Sequence, residues 1–448
     1  MPTLPTNILA HLLPFRSIFF TDKTFLKASL LLIGALICKG GRTVCSILRV
    51  LGLKGETGFA KYHHVLNRAR WDALEGSKVL LQQIDKDHQE PLKIIIDGHL
   101  ERRKGKMISA KGNYRDAVQS SKDCTVISSG LKWLCVASLN RFSWCKRTLA
   151  LPFMTILTPH EDCNKKSGKK HKTLQDWTCQ ILMQIRRWLP LRSIIFVGDS
   201  EFACAKVALE CIKQKIIFVS RLKLNARLFN FPIRNHMGRP QKKGTRLPTI
   251  ETILTDRTIE WEMKEVSWYG STRRTVQYCT GVCLWHVMTH SSTPISIRYV
   301  VIKDPENILS PLLLMSTNLE LAPWEIIENY VVRWNIEVSF HESREHLGIE
   351  TQRQWSDKAI ARTTPILFAL YSLVILIGNT LFKTGKVEIE QTAWYIKEDF
   401  KFSDMFKSVR KYLLKEMYFC KEEFSEQAAL KSQKDFIDRV VDLVLQVA

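Results

Sequence analysis

Apolar residues follow two rhythms along this chain, and the places where one gives way to the other divide it. Residues 92–97 (Leu-Lys-Ile-Ile-Ile-Asp97) and 193–199 (Ser-Ile-Ile-Phe-Val-Gly-Asp199) are short, almost wholly apolar runs, each closed by a carboxylate. Such Ile- and Val-rich runs read as strands of a sheet covered on both faces. Further strands are predicted at 104–112, 131–139 and 215–220, with helices near 173–188 and 201–214. Three strands followed by alternating helix and strand point to a mixed α/β sheet. Between about 221 and 320 the pattern is β-rich, with strands expected at 259–268, 275–287, 295–302 and 312–316. Helical spacing returns over 323–347, where Pro323 suits a first turn, and again over 360–382. Ahead of the sheet, residues 10–90 read as helices separated by glycine turns. Thr43 is placed to cap a short basic helix there, and the pattern fits a helix-turn-helix and a plain helical bundle equally. The tail ends on an amphipathic stripe, Asp435-Phe-Ile-Asp-Arg-Val-Val-Asp-Leu-Val-Leu445, suited to intramolecular packing and open to a partner contact.

Charge changes this picture most. The chain has 448 residues, with 66 Lys and Arg against 44 Asp and Glu, a net charge of +22. That excess favours a polyanionic partner, nucleic acid before membrane. Between Cys211 and Ile250 there is no acidic residue, while Arg221, Lys223, Arg227, Arg234, Arg239, Lys242, Lys243 and Arg246 accumulate. Phosphate contact is expected from this stretch, with the run Lys165-Lys-Ser-Gly-Lys169-Lys-His-Lys172 a weaker candidate. The 12 cysteines have no pairing rhythm, which suits a reducing compartment. Cys279, Cys283, His286 and His290 match no zinc-finger spacing and read as part of a core strand. No signal peptide is visible. The apolar stretches at 25–38 and 365–382 carry polar residues and read as core helices, so no membrane partner is expected.

Candidate chemistry centres on Tyr330-Val-Val-Arg333-Trp-Asn-Ile-Glu337-Val-Ser-Phe-His341-Glu-Ser-Arg344. On a helix, Tyr330, Arg333, Glu337, His341 and Arg344 fall at spacings of three and four and share one stripe. A carboxylate bracketed by guanidiniums is suited to metal binding beside a gripped phosphate. With Asp97 and Asp199 it completes a set of three carboxylates that, converging at a sheet edge, can hold two divalent cations.

In these residues the chain resembles the DDE transposases of bacterial insertion sequences. More narrowly, it resembles the branch whose signature is Tyr, two residues, Arg, three residues, Glu, six residues, Lys. Tyr330, Arg333 and Glu337 keep that spacing, Arg344 stands where the family has Lys, and Gly98 stands where it often has a second Asp. Residues 61–71, 238–247 and 346–350 carry the same likeness, which spans roughly residues 10 to 385. The resemblance implies a ribonuclease-H-like mixed-sheet core interrupted by an all-β insertion, with a helical N-terminal domain and a helical C-terminal tail. The expected boundaries are 1–90 for a DNA-end-binding domain, 91–220 and 321–385 for the two parts of the core, 221–320 for the insertion and 386–448 for the tail. Asp97, Asp199 and Glu337 are then the catalytic and metal-binding residues. They would hold two Mg²⁺ ions per site, with Mn²⁺ able to substitute. Tyr330, Arg333, Arg344 and His341, with Arg239, Lys242, Lys243 and Arg246, would contact DNA. Trp261, Trp268 and Trp285 are candidates for stacking on an unpaired base, and each reads more readily as core. The implied activity is cleavage of element ends and their joining to target DNA, within a homodimer on paired ends, in the bacterial cytoplasm at the nucleoid. The rival readings are an inactive, domesticated DNA-binding relative and a metal nuclease that only hydrolyses.

Overall fold

The computed structural model describes residues 5–418 apart from 87–89, 122, 234–240, 287–292, 307, 388–390, 392 and 395. The expected contact residue Arg239, His290 and the amphipathic ending at 435–445 therefore lie outside the described residues. Five helices come first: α1 (Thr6–Leu12), α2 (Asp22–Ile37), α3 (Val44–Val50), α4 (Ala60–Asn67) and α5 (Ala73–Asp85). Thr43 caps α3 as its sequence suggests, accepting the Ser46 N–H at 3.1 Å. Then follow β1 (Leu92–Arg102), β2 (Gly112–Arg115), β3 (Ile127–Phe142), β4 (Cys145–Leu157), α6 (Glu161–Lys166), α7 (Leu174–Trp188), β5 (Ile194–Gly198), α8 (Ala205–Lys213) and β6 (Ile217–Leu222). The β-rich stretch supplies β7 (Leu228–Phe229), α9 (Ile250–Thr255), β8 (Glu262–Ser267), β9 (Arg273–Trp285), β10 (Ile295–Lys303) and β11 (Leu312–Ser316). The chain closes with α10 (Pro323–Val331), α11 (Asn335–Leu347), α12 (Asp357–Lys383) and α13 (Phe402–Tyr418).

Among the described residues, all eleven strands join one sheet. Its core runs β4-β3-β1-β5-β6: β3 is antiparallel to β1 and β4, while β1, β5 and β6 are mutually parallel. This is a ribonuclease-H-like mixed-sheet core. The strands of the insertion continue the same sheet, because β11 pairs antiparallel with β6 and carries β10 and β9 beyond it. Alternation sorts the side chains to two faces. Ile94, Ile96, Phe196 and Phe218 join an apolar cluster that includes α7, α8, α12, α13 and the N-terminal helices. Ile95, Val197 and Val219 face the other way, onto Ile326 and Ile327 of α10, Phe340 of α11 and Phe368 of α12.

Three expected elements are corrected. The strand placed at 104–112 is a loop, since Lys104-Gly105-Lys106 offers no apolar face, and only β2 follows it. β4 went unpredicted because Pro152 breaks the strand signal. In the fold Pro152 sits at a register shift, opposite Ala137 where Met154 already faces Val136. The helix expected over 323–347 is two helices, joined by a 3₁₀ turn at Val332–Trp334. The β-branched pair Val331-Val332 and bulky Trp334 crowd the α-helical ladder there.

Guanidiniums fasten the N-terminal helices to the core. Arg362 of α12 donates to the Leu66 and Ala69 carbonyls, both at 2.9 Å, and stacks 4.4 Å over Trp71. Arg42 donates to the carbonyls of Ala35 and of His346 at the end of α11. Although α12 is long and apolar enough to cross a membrane, Phe368, Val374, Ile375 and Leu381 are fully buried in the two protein clusters. Replacing Phe368, which packs on both Phe340 and His99, should therefore open a cavity behind the site face. Phe368→Ala is expected to lower unfolding stability by about 3–5 kcal/mol in urea titrations. A loss below about 1 kcal/mol would mean this face is not packed as described.

Candidate active site

Strand register aligns the first candidate residues. Ile95 of β1 is level with Val197 of β5, and Val197 with Val219 of β6. Two residues further along the same face come Asp97, Asp199 and Arg221, forming a row across three parallel strands set about 4.8 Å apart. Asp97 is not at a strand end as its sequence suggested. β1 runs on to Arg102, paired only with β3 after β5 has stopped at Gly198. The bare edge of β1 thus faces Asp199, whose side chain accepts the Glu201 N–H at 2.8 Å. Its backbone is held by the Ser220 hydroxyl, which donates to the carbonyls of Gly198 and Asp199 at 3.0 Å each.

Opposite this row lie α10, the 3₁₀ turn and α11. Arg333 sends one arm to Asp97 Oδ2 at 3.1 Å and the other to Glu337 Oε1 at 3.0 Å. The remaining Asp97 oxygen, Oδ1, accepts the Gly98 N–H at 2.7 Å. Side-chain exposure is 14% for Arg333, 19% for Asp97 and 43% for Glu337, so the three form a half-closed pocket with Glu337 at its rim. Tyr330 is buried beneath, its ring 6.0 Å from the guanidinium carbon. Burial raises the Asp97 carboxyl and Arg333 opposes it, while Asp199 and Glu337 add to the rise and leave it pushed up to about 7. Burial works against the charge of Arg333, but Asp97 and Glu337 outweigh it and hold the guanidinium above its ordinary value. Tyr330 is raised by burial, with Arg333 and Arg221 opposing.

Arg344 is not brought to this pocket. Arg344 lies 3.6 Å from Glu350, in a charged cluster two turns along α11 from Glu337. Glu350 also pairs with Arg102 at 3.3 Å and lies 3.9 Å from the buried His99. Burial, with Arg344 and Arg102 nearby, pushes His99 down to about 3, so its imidazole is neutral. The 3₁₀ turn, at roughly 120° per residue rather than 100°, offsets Tyr330 and Arg333 from the stripe that Glu337, His341 and Arg344 keep along α11. His341 is exposed. Lys242 and Arg246 are also exposed, and the ammonium of Lys243 sits 4.0 Å over the ring of Phe229. Trp285 is buried, Trp261 lies under Lys303 and Trp268 packs half-buried against Tyr269. Cys283 is buried in β9, in keeping with a core strand.

A family model described as DDE superfamily endonuclease matches residues 15–275. The chain belongs to the DDE superfamily endonucleases. Asp97 and Asp199 lie inside the matched span, and Glu337 lies beyond it. Among solved structures, a piggyBac transposase in a synaptic complex with hairpin DNA, from cryo-electron microscopy, is similar with a TM-score of 0.45 and 10% identity, over 96% of this chain and 85% of that one. Comparison with curated proteins gives no match.

One residue beside the pocket was not singled out by sequence. Tyr269, between β8 and β9, stands 6.3 Å from Trp334, and burial together with neighbouring Tyr330 raises its phenol. Arg221 completes the row described above. Its only sequence signal was membership of the acid-free basic run. Among the described residues no three carboxylate, imidazole or thiolate groups form a ready metal cage. Asp97 and Glu337 instead share a guanidinium.

The raised carboxyl of Asp97 has a measurable consequence. The native state keeps this proton up to about pH 7, whereas an unfolded Asp releases it near 3.8. The native form therefore binds more protons between those values, and the stability contributed by Asp97 is lost as pH rises through that window. Asp97→Asn should then be more stable than the parent at pH 8 by an amount on the order of 2 kcal/mol, with the advantage absent at pH 4. Urea unfolding in chelator-containing buffer at the two pH values measures it. An equal difference at both would refute the assignment.

Proposed function

We propose that this DDE endonuclease is a transposase, cutting the ends of an insertion sequence and joining them to target DNA by two-metal phosphoryl transfer. The observation that carries the reading is that Asp97 and Asp199 lie level where the paired strands β1 and β5 part, while Arg333 joins Asp97 to Glu337 of the crossing helix. Three hard carboxylate oxygen donors suit Mg²⁺ or Mn²⁺. The position of the Arg333 guanidinium is itself evidence that this pocket accommodates positive charge. Asp97, Asp199 and Glu337 would hold the ions, which when bound supply Lewis acidity toward the phosphate and its attacking and leaving oxygens.

The chain's own residues divide the remaining work. Arg333 and Tyr330 grip the phosphate beside the scissile bond and neutralise its developing charge. Arg221, in the row with the two aspartates, adds a cation on the flank toward the insertion. Tyr269 and Trp334, each about two-fifths exposed beside the pocket, offer ring faces to an unstacked base, a better-placed pair than the tryptophans of the insertion. Arg344 acts through Glu350 and not on the phosphate, so it supports α11. Lys242, Lys243 and Arg246 contact the duplex backbone farther out. We take the working form to be a homodimer on paired ends, in the cytoplasm of a bacterial cell.

Two experiments test this reading. Asp199→Ala, which leaves every proposed phosphate-binding side chain in place, should abolish cleavage of a terminal-repeat substrate with binding retained. Cleavage at the parental rate would sink the assignment, and hydrolysis with no strand-transfer product would favour the simple nuclease. Changing Lys242, Lys243 and Arg246 together to Gln should reduce the slope of log affinity against log salt by roughly 0.9 for each phosphate no longer neutralised. An unchanged slope would make this segment a solvated loop.

A further inference from the structure

We propose that Arg333 is an internal latch: in the DNA-free protein its guanidinium stands in for the catalytic cation, and a DNA phosphate releases it. This rests on the phosphoryl-transfer reading above. It differs from it in assigning Arg333 two successive partners and in making metal loading depend on DNA.

The geometry points this way on three counts. First, the fork is divided between elements: one N–H arm reaches Asp97 of β1 and the other Glu337 of α11, at 3.1 and 3.0 Å. A residue whose only task was to grip phosphate would leave its arms directed toward the opening. Second, both oxygens of Asp97 are engaged, Oδ2 by Arg333 and Oδ1 by the Gly98 N–H. A divalent ion bridging Asp97 Oδ2 and Glu337 Oε1 would compete with the guanidinium arms for the same oxygens. Third, the charge balance of the pocket changes sign when the ions enter. Three carboxylates facing one guanidinium leave the pocket negative, while two divalent ions in the same carboxylates, with Arg333 still between them, would leave it strongly positive. Repulsion from the entering ions favours departure of the guanidinium, and a planar, bidentate acceptor is the partner that best replaces two carboxylates. A backbone phosphate is such an acceptor.

Because phosphate and metal both displace the same ion pairs, each favours the other, and the coupling is reciprocal by linkage. The latch would keep metal-charged carboxylates from forming away from DNA.

The test is a titration of Mn²⁺, read by loss of the free-ion electron paramagnetic resonance signal, with and without a short mixed-sequence duplex at low salt. Neither arm requires turnover. For the parental protein the duplex should tighten Mn²⁺ binding about tenfold, a typical coupling between linked sites. Arg333→Gln should bind Mn²⁺ without DNA about as tightly as the parent does with DNA, and its own coupling should fall to about twofold or less. Arg333→Lys, which keeps the charge but loses the fork, should fall between the two. Circular dichroism spectra and melting curves establish that both variants are folded. Mn²⁺ binding by the parent and both variants, with Arg333→Gln no tighter than the parent in the absence of DNA, would overturn the latch and leave the phosphoryl-transfer reading standing. No Mn²⁺ binding by any of them, with or without DNA, would overturn both.

Discussion

Unequal strand lengths decide where this protein can do chemistry. β1 continues to Arg102 along β3, but its parallel neighbour β5 ends at Gly198. Beyond that point β1 has one partner and one bare edge. The last apolar residues of the site face, Ile95, Val197 and Val219, are level with one another, so the next residues on that face emerge together where the sheet opens. Those residues are Asp97, Asp199 and Arg221. A polar row there costs little, because the carboxyl ends of parallel strands border a crevice and not a packed core. The two Ser220 hydrogen bonds to Gly198 and Asp199 take over where ladder bonds end, so the departing chain is held in place.

Charge balance follows from that placement. The face that carries Asp97 also carries Ile95 and packs on Phe340 and Phe368, so the carboxyl is largely desolvated before any neighbour acts on it. Two more carboxylates nearby make the site self-repelling without a cation. One guanidinium, itself mostly buried, offsets this and is in turn kept charged by the acids around it. Farther along β1 the same problem is solved differently. Glu101 is buried with Arg103 at 3.2 Å, the Trp133 indole N–H at 2.7 Å and the Thr364 hydroxyl at 2.8 Å. Glu101 and Arg103 are both buried in the interior, whereas the Arg333 fork reaches the pocket rim.

How much of this was legible in the sequence depends on the range of the interactions involved. β5, β6, β10, β11, α7 and α12 are apolar runs with clear periods, and both aspartates were conspicuous at the ends of such runs. The continuation of β1 was not readable. Gly98-His99-Leu100-Glu101-Arg102 looks like the exit of a strand, because the groups that satisfy it, Glu350 and Thr364, lie some 250 residues away. The position of Arg344 depends on the length of α11: it shares that helix with Glu337 but stands two turns along it, where it meets Glu350 six residues on. β4 was masked by Pro152, whose bulge is tolerated because it has a partner on one edge only. Tyr269 became a candidate, and Arg221 a neighbour of the two aspartates, only once register and packing were known. Neither quantity is local.

The mechanical arrangement also separates what should stay from what should move. Asp97 sits within a strand paired for nine residues with β3, and Asp199 is tethered through Ser220. Glu337 lies in the first turn of α11, whose far end is closed by Gly348 in the left-handed region at φ 73° and gripped through the His346 carbonyl by Arg42. At the other end α10 is fixed by Glu325, which accepts the Ala322 N–H at 3.0 Å. The carboxylates thus stand on braced elements. Arg333 alone issues from the 3₁₀ turn between two braced helices, on a long side chain that can change partner without any helix moving. A site meant to keep its acids in register while exchanging its cation needs rigidity in one set of groups and reach in the other, and this fold places each where that division requires.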